Sequence, residues 1–167
     1  MGGAVEFSDM LENSISPEGT SKVPNYSFIT NPQRVAADIE ALRDLSEQRQ
    51  IYALVDRALL RASGQVNEIN QEKRIIESKY GVRIVLLPVE NSVNRILAAV
   101  PPSARAVYIS ILRGLPPAER RKLFEALSKR GHITLSMVGL PDVELGAMAG
   151  LAPDNSDAIA RRAALNA

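Results

Sequence analysis

Two carboxylates lie just beyond apolar runs, Glu90 after Arg83-Ile-Val-Leu-Leu87 and Asp142 after Ile133-Thr-Leu-Ser-Met-Val138. Such a placement can supply a general acid and a general base, although capping the helix that follows is the commoner role of a carboxylate there. Arg113 directly follows the run Ala106-Val-Tyr-Ile-Ser-Ile111, where a guanidinium can face a bound carboxylate. The only histidine is His132, so neither a Ser-His-Asp array with a histidine to spare nor a multi-histidine zinc site can be assembled. Placed after Gly131, it reads as a surface histidine beside a helix C-terminus. The absence of cysteine excludes disulfides, thiolate nucleophiles and sulfur-ligated metal. Gly139-Leu-Pro-Asp142 has neither the spacing of a phosphate-binding loop nor that of a dinucleotide fingerprint. No cofactor and no metal are therefore expected.

The charge balance narrows the partners. Lys and Arg total 20 against 19 Asp and Glu, a formal charge of +1, which leaves no surplus to track a phosphate backbone. Nucleic acid is not expected as a partner. The runs Glu119-Arg-Arg-Lys122 and Lys129-Arg130 read as the solvated face of one helix. With 167 residues, 46% hydrophobic and 23% charged, the chain has the composition of one ordinary globular domain. No apolar run approaches the roughly 20 residues that a membrane span needs. Met1 to Met10 also lack the basic and apolar regions of a signal peptide.

These groups need elements to position them, and the hydropathy pattern supplies a rhythm. After a short Ala4 to Phe7 strand and a loop over Asn13 to Thr20, a helix starts near Thr30, with Asn31 or Thr30 as cap, Pro32 at a tolerated position and Val35, Ile39, Leu42 and Leu45 on one face. An apolar run, Ile51 to Val55, ends at Asp56. A helix over Gln65 to Lys79, closed by Gly81, leads to the second run, Arg83 to Leu87, stopped by Pro88. A short helix over Ser92 to Val100, the third run Ala106 to Ile111, a helix over Pro116 to Arg130 with Leu123, Phe124 and Leu127 inward, and the fourth run Ile133 to Val138 complete the pattern. Val143 to Pro153, small and apolar with two glycines, suits a tightly packed strand or a helix start, and a last helix begins near Asp154.

Continuous apolar strands alternating with amphipathic helices imply a sheet buried on both faces. The expected fold class is α/β, a three-layer sandwich on a mostly parallel sheet, with flavodoxin- or Rossmann-like order. Ligands of such sheets bind outside the carboxyl ends of the strands. Asp56, the Pro88 to Asn94 turn, Leu112 to Leu115 and Gly139 to Asp142 fall there. Tyr26 and Tyr108 read as core filling with a locally satisfied hydroxyl.

Ala4-Val-Glu-Phe-Ser-Asp9, Val23-Pro-Asn-Tyr26, the segment Val143 to Pro153 and Arg161-Arg-Ala-Ala-Leu-Asn166, with Tyr52-Ala-Leu-Val-Asp56 and Ala106-Val-Tyr-Ile109 between them, resemble the periplasmic solute-binding proteins of ABC transporters, tryptophan/tyrosine type. The resemblance covers nearly the whole chain and implies the second lobe of a two-lobed binding protein plus its hinge segments. Residues 1–30 would cross the hinge, 31–140 form the ligand-binding lobe, and 141–167 return through the hinge to a C-terminal helix. A fragment of a longer, periplasmic or cell-envelope parent is expected, with a small-molecule solute and the transporter permease as partners, and with self-association of the isolated lobe.

The resemblance places ligand-binding residues at Asn25 and Tyr26 near the hinge and at Asp56, Arg57, Glu90, Asn91, Ser92, Arg113, Gly139 and Asp142 in the loops. Where family members carry Ser- and Asn-rich loops, this chain has Asp56-Arg-Ala-Leu-Leu60 and Leu112-Arg-Gly-Leu115, a departure that argues against a zwitterionic amino acid. The implied activity is ligand capture by hinge closure without catalysis. A signalling domain of flavodoxin type and a small α/β enzyme using Glu90, Asp142 or Arg113 are the other readings the residues allow.

Overall fold

The computed structural model describes residues 34–63 and 66–151. Asn25, Tyr26, the Ala4 to Phe7 strand and the helix near Asp154 lie outside the described residues. The elements run α1 (Arg34–Ser46), β1 (Gln50–Asp56), α2 (Arg57–Ser63), α3 (Val66–Tyr80), β2 (Arg83–Val89), α4 (Val93–Ala99), β3 (Ala106–Ile109), α5 (Pro117–Lys129), β4 (Ile133–Ser136) and α6 (Leu140–Val143). The four strands form one parallel sheet in the order β2-β1-β3-β4. Helices cover both faces, giving the α/β sandwich that the apolar rhythm implies.

Residues alternate between the two faces along a strand, and here both faces are dry. Ile51 and Ala53 of β1 and Ala106 and Tyr108 of β3 pack with Ile39 and Leu42 of α1 and Ile76 of α3. Leu54, Val107 and Ile109 face the other way, against Ile96 of α4 and Leu123, Phe124 and Leu127 of α5. All four residues of β3 are buried, which is why its sequence is apolar throughout.

Local chemistry sets the helix ends. The Ser46 hydroxyl donates to the Leu42 carbonyl at 2.6 Å and Glu47 adopts φ 56, turning the chain out of α1. At the end of α5, Arg130 caps, Gly131 takes φ 77, its N–H donates to Ser128, and the His132 N–H donates to Leu127. This is a Schellman closure, which a left-handed glycine makes inexpensive.

Several expectations are corrected. Pro88 does not stop the second strand: β2 runs through it to Val89. The strand lies at the sheet edge, where proline is tolerated because one side of the backbone pairs with nothing in the sheet. β3 and β4 end earlier than their apolar runs, at Ile109 and Ser136.

His132 is 1% exposed, not a surface residue: its Nδ1 lies 2.5 Å from the Ala104 carbonyl, and its Nε2 is buried without a partner among the described residues. Arg120 is not part of the solvated face of α5 but turns inward. The segment after Val143 forms neither a helix nor an extended strand through residue 151. It makes an isolated parallel bridge from Ala149 to Leu135 on the outer edge of β4. A Cβ on Gly150 would meet the Gly139 Cα at 2.7 Å, so two backbones touch there.

Leu127→Ala is expected to cost about 2–5 kcal/mol of unfolding free energy, through lost burial and the cavity left beneath α5. Gly131→Ala is expected to cost about 1–2 kcal/mol, the penalty of a Cβ in left-handed backbone. Urea denaturation of the two variants checks both values.

Candidate functional site

After β1 the chain crosses over one face through α3 to β2 at the sheet edge. It then returns over the other face through α4 to β3 on the far side of β1. The strand order thus reverses between β1 and β3, and it is at such a reversal, outside the carboxyl ends of the strands, that open parallel sheets have their ligand crevice.

The predicted loop residues divide into two groups there. Asp56, buried at the tip of β1, accepts the Ala58 N–H at 2.8 Å and caps α2. The Arg57 guanidinium reaches across to the Pro88 carbonyl at 3.2 Å, tying the β1 end to the β2 end. Glu90 is exposed and paired with Arg95, and Ser92 caps α4 through its backbone, without a side-chain hydrogen bond. Asn91 spans to the loop after β3: a Cβ on Gly114 would stand 1.8 Å from its Nδ2. No other residue fits at Gly114 while Asn91 lies there. Arg113, next to it, is exposed. The loops after β1, β2 and β3 therefore meet around the crevice.

Gly139 and Asp142 stand apart, at the end of β4. Gly139 adopts φ 80, and a Cβ there would come within 2.8 Å of the Leu151 carbonyl oxygen. Asp142 is 1% exposed; one carboxylate oxygen accepts from Arg120 Nη1 and the other from the Ser136 hydroxyl, each at 2.5 Å. The same hydroxyl accepts the Val138 N–H. Both oxygens of Asp142 are thus occupied within the fold, joining α5, β4 and α6.

A cavity of about 150 Å³ lies beside the crevice, under α1 and α3. Its walls are apolar: Val35 and Ile39 of α1, Ile69 and Ile76 of α3, and Val55 and Leu86 of the sheet. Four side chains with polar atoms join the lining, Tyr108, Ser110, Glu72 and Lys73. The Tyr108 hydroxyl donates to Asp38 Oδ2 at 2.9 Å in the core, while Asp38 Oδ1 and the Ser110 hydroxyl are buried without partners among the described residues. Lys73 is held by Glu77 at 2.9 Å.

Burial shapes the titration of these groups. It raises the Asp38 carboxyl above its ordinary range, against the lowering pull of the Tyr108 hydrogen bond and the Arg34 charge. It also pushes the Tyr108 phenol well up, and the neighbouring Asp38 charge adds to that rise. Glu72 is raised by desolvation. For Glu77, burial alone would raise the carboxyl, but the Lys73 hydrogen bond and charge and the Ile84 N–H hold it below the usual range.

Sequence reasoning placed the loop residues at the strand ends but missed the cavity. Ser110 was the available signal, a hydroxyl inside an otherwise apolar run, together with Glu72 and Lys73 beside the apolar positions of α3. Among the described residues no group of three His, Asp or Glu is positioned to hold a metal. Among the described residues the Ser110 hydroxyl has no hydrogen-bonded base. An apolar wall with a few polar groups is an arrangement suited to holding a small molecule.

Two predictions follow from the buried carboxylates. Arg120→Ala leaves the Asp142 charge unpaired inside the protein and is expected to cost about 3–5 kcal/mol, whereas Arg120→Met with Asp142→Leu costs less than Arg120→Ala alone; a double-mutant cycle in urea reads the difference. The raised Asp38 carboxyl means that the folded state holds its proton more tightly than the unfolded chain. The contribution of Asp38 to stability is therefore greatest below the ordinary aspartate value of 3.8 and falls as pH rises through the raised folded value. Asp38→Asn keeps an acceptor for Tyr108 and is expected to remove that part of the decline, seen as a flatter stability–pH curve.

No family model matches the sequence, and no curated protein matches it. Among solved structures, a putative L-allo-threonine aldolase from Listeria monocytogenes is similar at 14% identity and a TM-score of 0.45, over 72% of this chain and 36% of that one. The chain thus spans about a third of that protein's length. A likeness at this level carries no inference about activity.

Proposed function

We propose that the chain is the ligand-binding lobe of a two-lobed solute-binding component of an ABC-type import system, holding a small molecule without making or breaking bonds. The observation that carries this reading is the reversal of strand order between β1 and β3, with the loops after β1, β2 and β3 converging over it and an apolar cavity beside it. Open parallel sheets bind ligands at such a reversal. A ligand touching both lobes of the parent stabilises the closed form by its greater affinity for that form, and the transporter responds to the closure. The lobe alone binds more weakly because half of the contacts belong to the other lobe. The solute-binding resemblance of the sequence supports the transport setting.

The test is thermal unfolding of the 167-residue protein against pools of amino acids, peptides, sugars and small amines, with mass spectrometry of each pool afterwards. At a concentration about 100 times Kd, a bound solute stabilises by about 2.7 kcal/mol. For a domain of this size that is a rise of roughly 5–10 °C. A rise with unchanged pool composition is the expected result. No rise in any pool sinks the reading, and a consumed compound replaces it with an enzyme.

A further inference from the structure

One charged side chain of the apolar cavity has no counter-ion among the described residues. Glu72 lines it from α3, and no hydrogen bond or ion pair engages its carboxylate among the described residues. The adjacent cation, Lys73, is committed to Glu77. Glu72 is exposed on α3 while also lining the cavity, at the rim above walls formed by Val35, Ile39, Ala53 and Ile76. A cavity near 150 Å³ with apolar walls is large enough for a benzene-sized body.

We propose that this cavity takes a compact apolar monoamine, its hydrocarbon body between α1, α3 and the sheet and its ammonium against Glu72; this rests on the solute-binding reading and names its ligand class. The ammonium offsets the desolvation that raises the Glu72 carboxyl. A zwitterionic amino acid fits less well, because its carboxylate would stand near Glu72 while Lys73 is already paired. A diamine would bury its second charge against hydrocarbon, which is costly without a partner. The Ser110 hydroxyl, buried in the cavity lining with no partner among the described residues, offers a hydrogen bond to a polar atom on the ligand body.

Calorimetric titration of the full chain with 2-phenylethylamine, 2-phenylethanol and phenylalanine tests the assignment. The amine is expected to bind, the alcohol about three- to fivefold more weakly, the range of a partly exposed ion pair, and phenylalanine more weakly than both. Glu72→Gln is expected to bring the amine down to the alcohol while leaving the alcohol unchanged. Val55→Phe, which fills the cavity, is expected to abolish binding of both.

Equal affinity for amine and alcohol, an amine preference that survives Glu72→Gln, or unchanged binding in a folded Val55→Phe protein overturns the proposal. If Val55→Phe does not fold, Glu72→Gln decides. If the amine does not bind but another solute pool stabilises the protein, the ligand class falls and the solute-binding reading stands. If nothing binds, both fall.

Discussion

Burial of β1 and β3 on both faces is the constraint from which the rest of this fold descends. A strand flanked by strands on both sides and helices above and below has little solvent to satisfy a polar side chain, so β3 is apolar throughout and β1 is apolar between its two ends, Gln50 and Asp56. The helices must then present matching apolar stripes, and α1 and α3 do so on one face as α4 and α5 do on the other. Parallel pairing in turn forces each connection over a face of the sheet, and two crossovers on opposite faces produce the reversal beside β1. The crevice at the strand tips is thus a by-product of how the core is closed.

Much of this was legible before any coordinates. Ile51 to Val55, Ala106 to Ile111 and Ile133 to Val138 read as strands because they are short, mainly apolar runs between helices, although β3 and β4 end earlier than those runs, and Leu123, Phe124 and Leu127 mark the inner face of α5 by their spacing. Pro88 misled because residue type does not reveal whether a strand lies at an edge, where proline is harmless. His132 misled for a related reason: its neighbours in sequence are a helix end and a glycine, but the Ala104 carbonyl that accepts it lies 28 positions away.

The polar groups inside the core were the least legible part. Asp38 sits among helix residues that read as ordinary, and only tertiary packing brings it to Tyr108, 70 positions later. Arg120 looked like one of a solvated basic run, yet its guanidinium closes on Asp142 across 22 positions. Local pattern reports which face of a helix is apolar; it does not report which charged residue at the boundary turns inward to meet a partner. The same limit hid the cavity, whose walls come from α1, α2, α3 and three strands. For the strand tips, by contrast, the ends of the apolar runs sufficed to place Asp56, Arg57 and Asn91 beyond or at the ends of β1 and β2.

The contact between Gly139 and Gly150 has a bearing on colloidal behaviour. Only a pair of residues without side chains lets the return segment lie close enough for Ala149 to exchange hydrogen bonds with Thr134 and Ser136, occupying part of the outer rim of β4. A bulkier residue at either glycine would lift that cover and leave the backbone of β4 free to recruit a strand from another molecule, which is the usual first step toward ordered aggregates. The small pair thereby bears on how much of the β4 edge is covered, independently of any ligand.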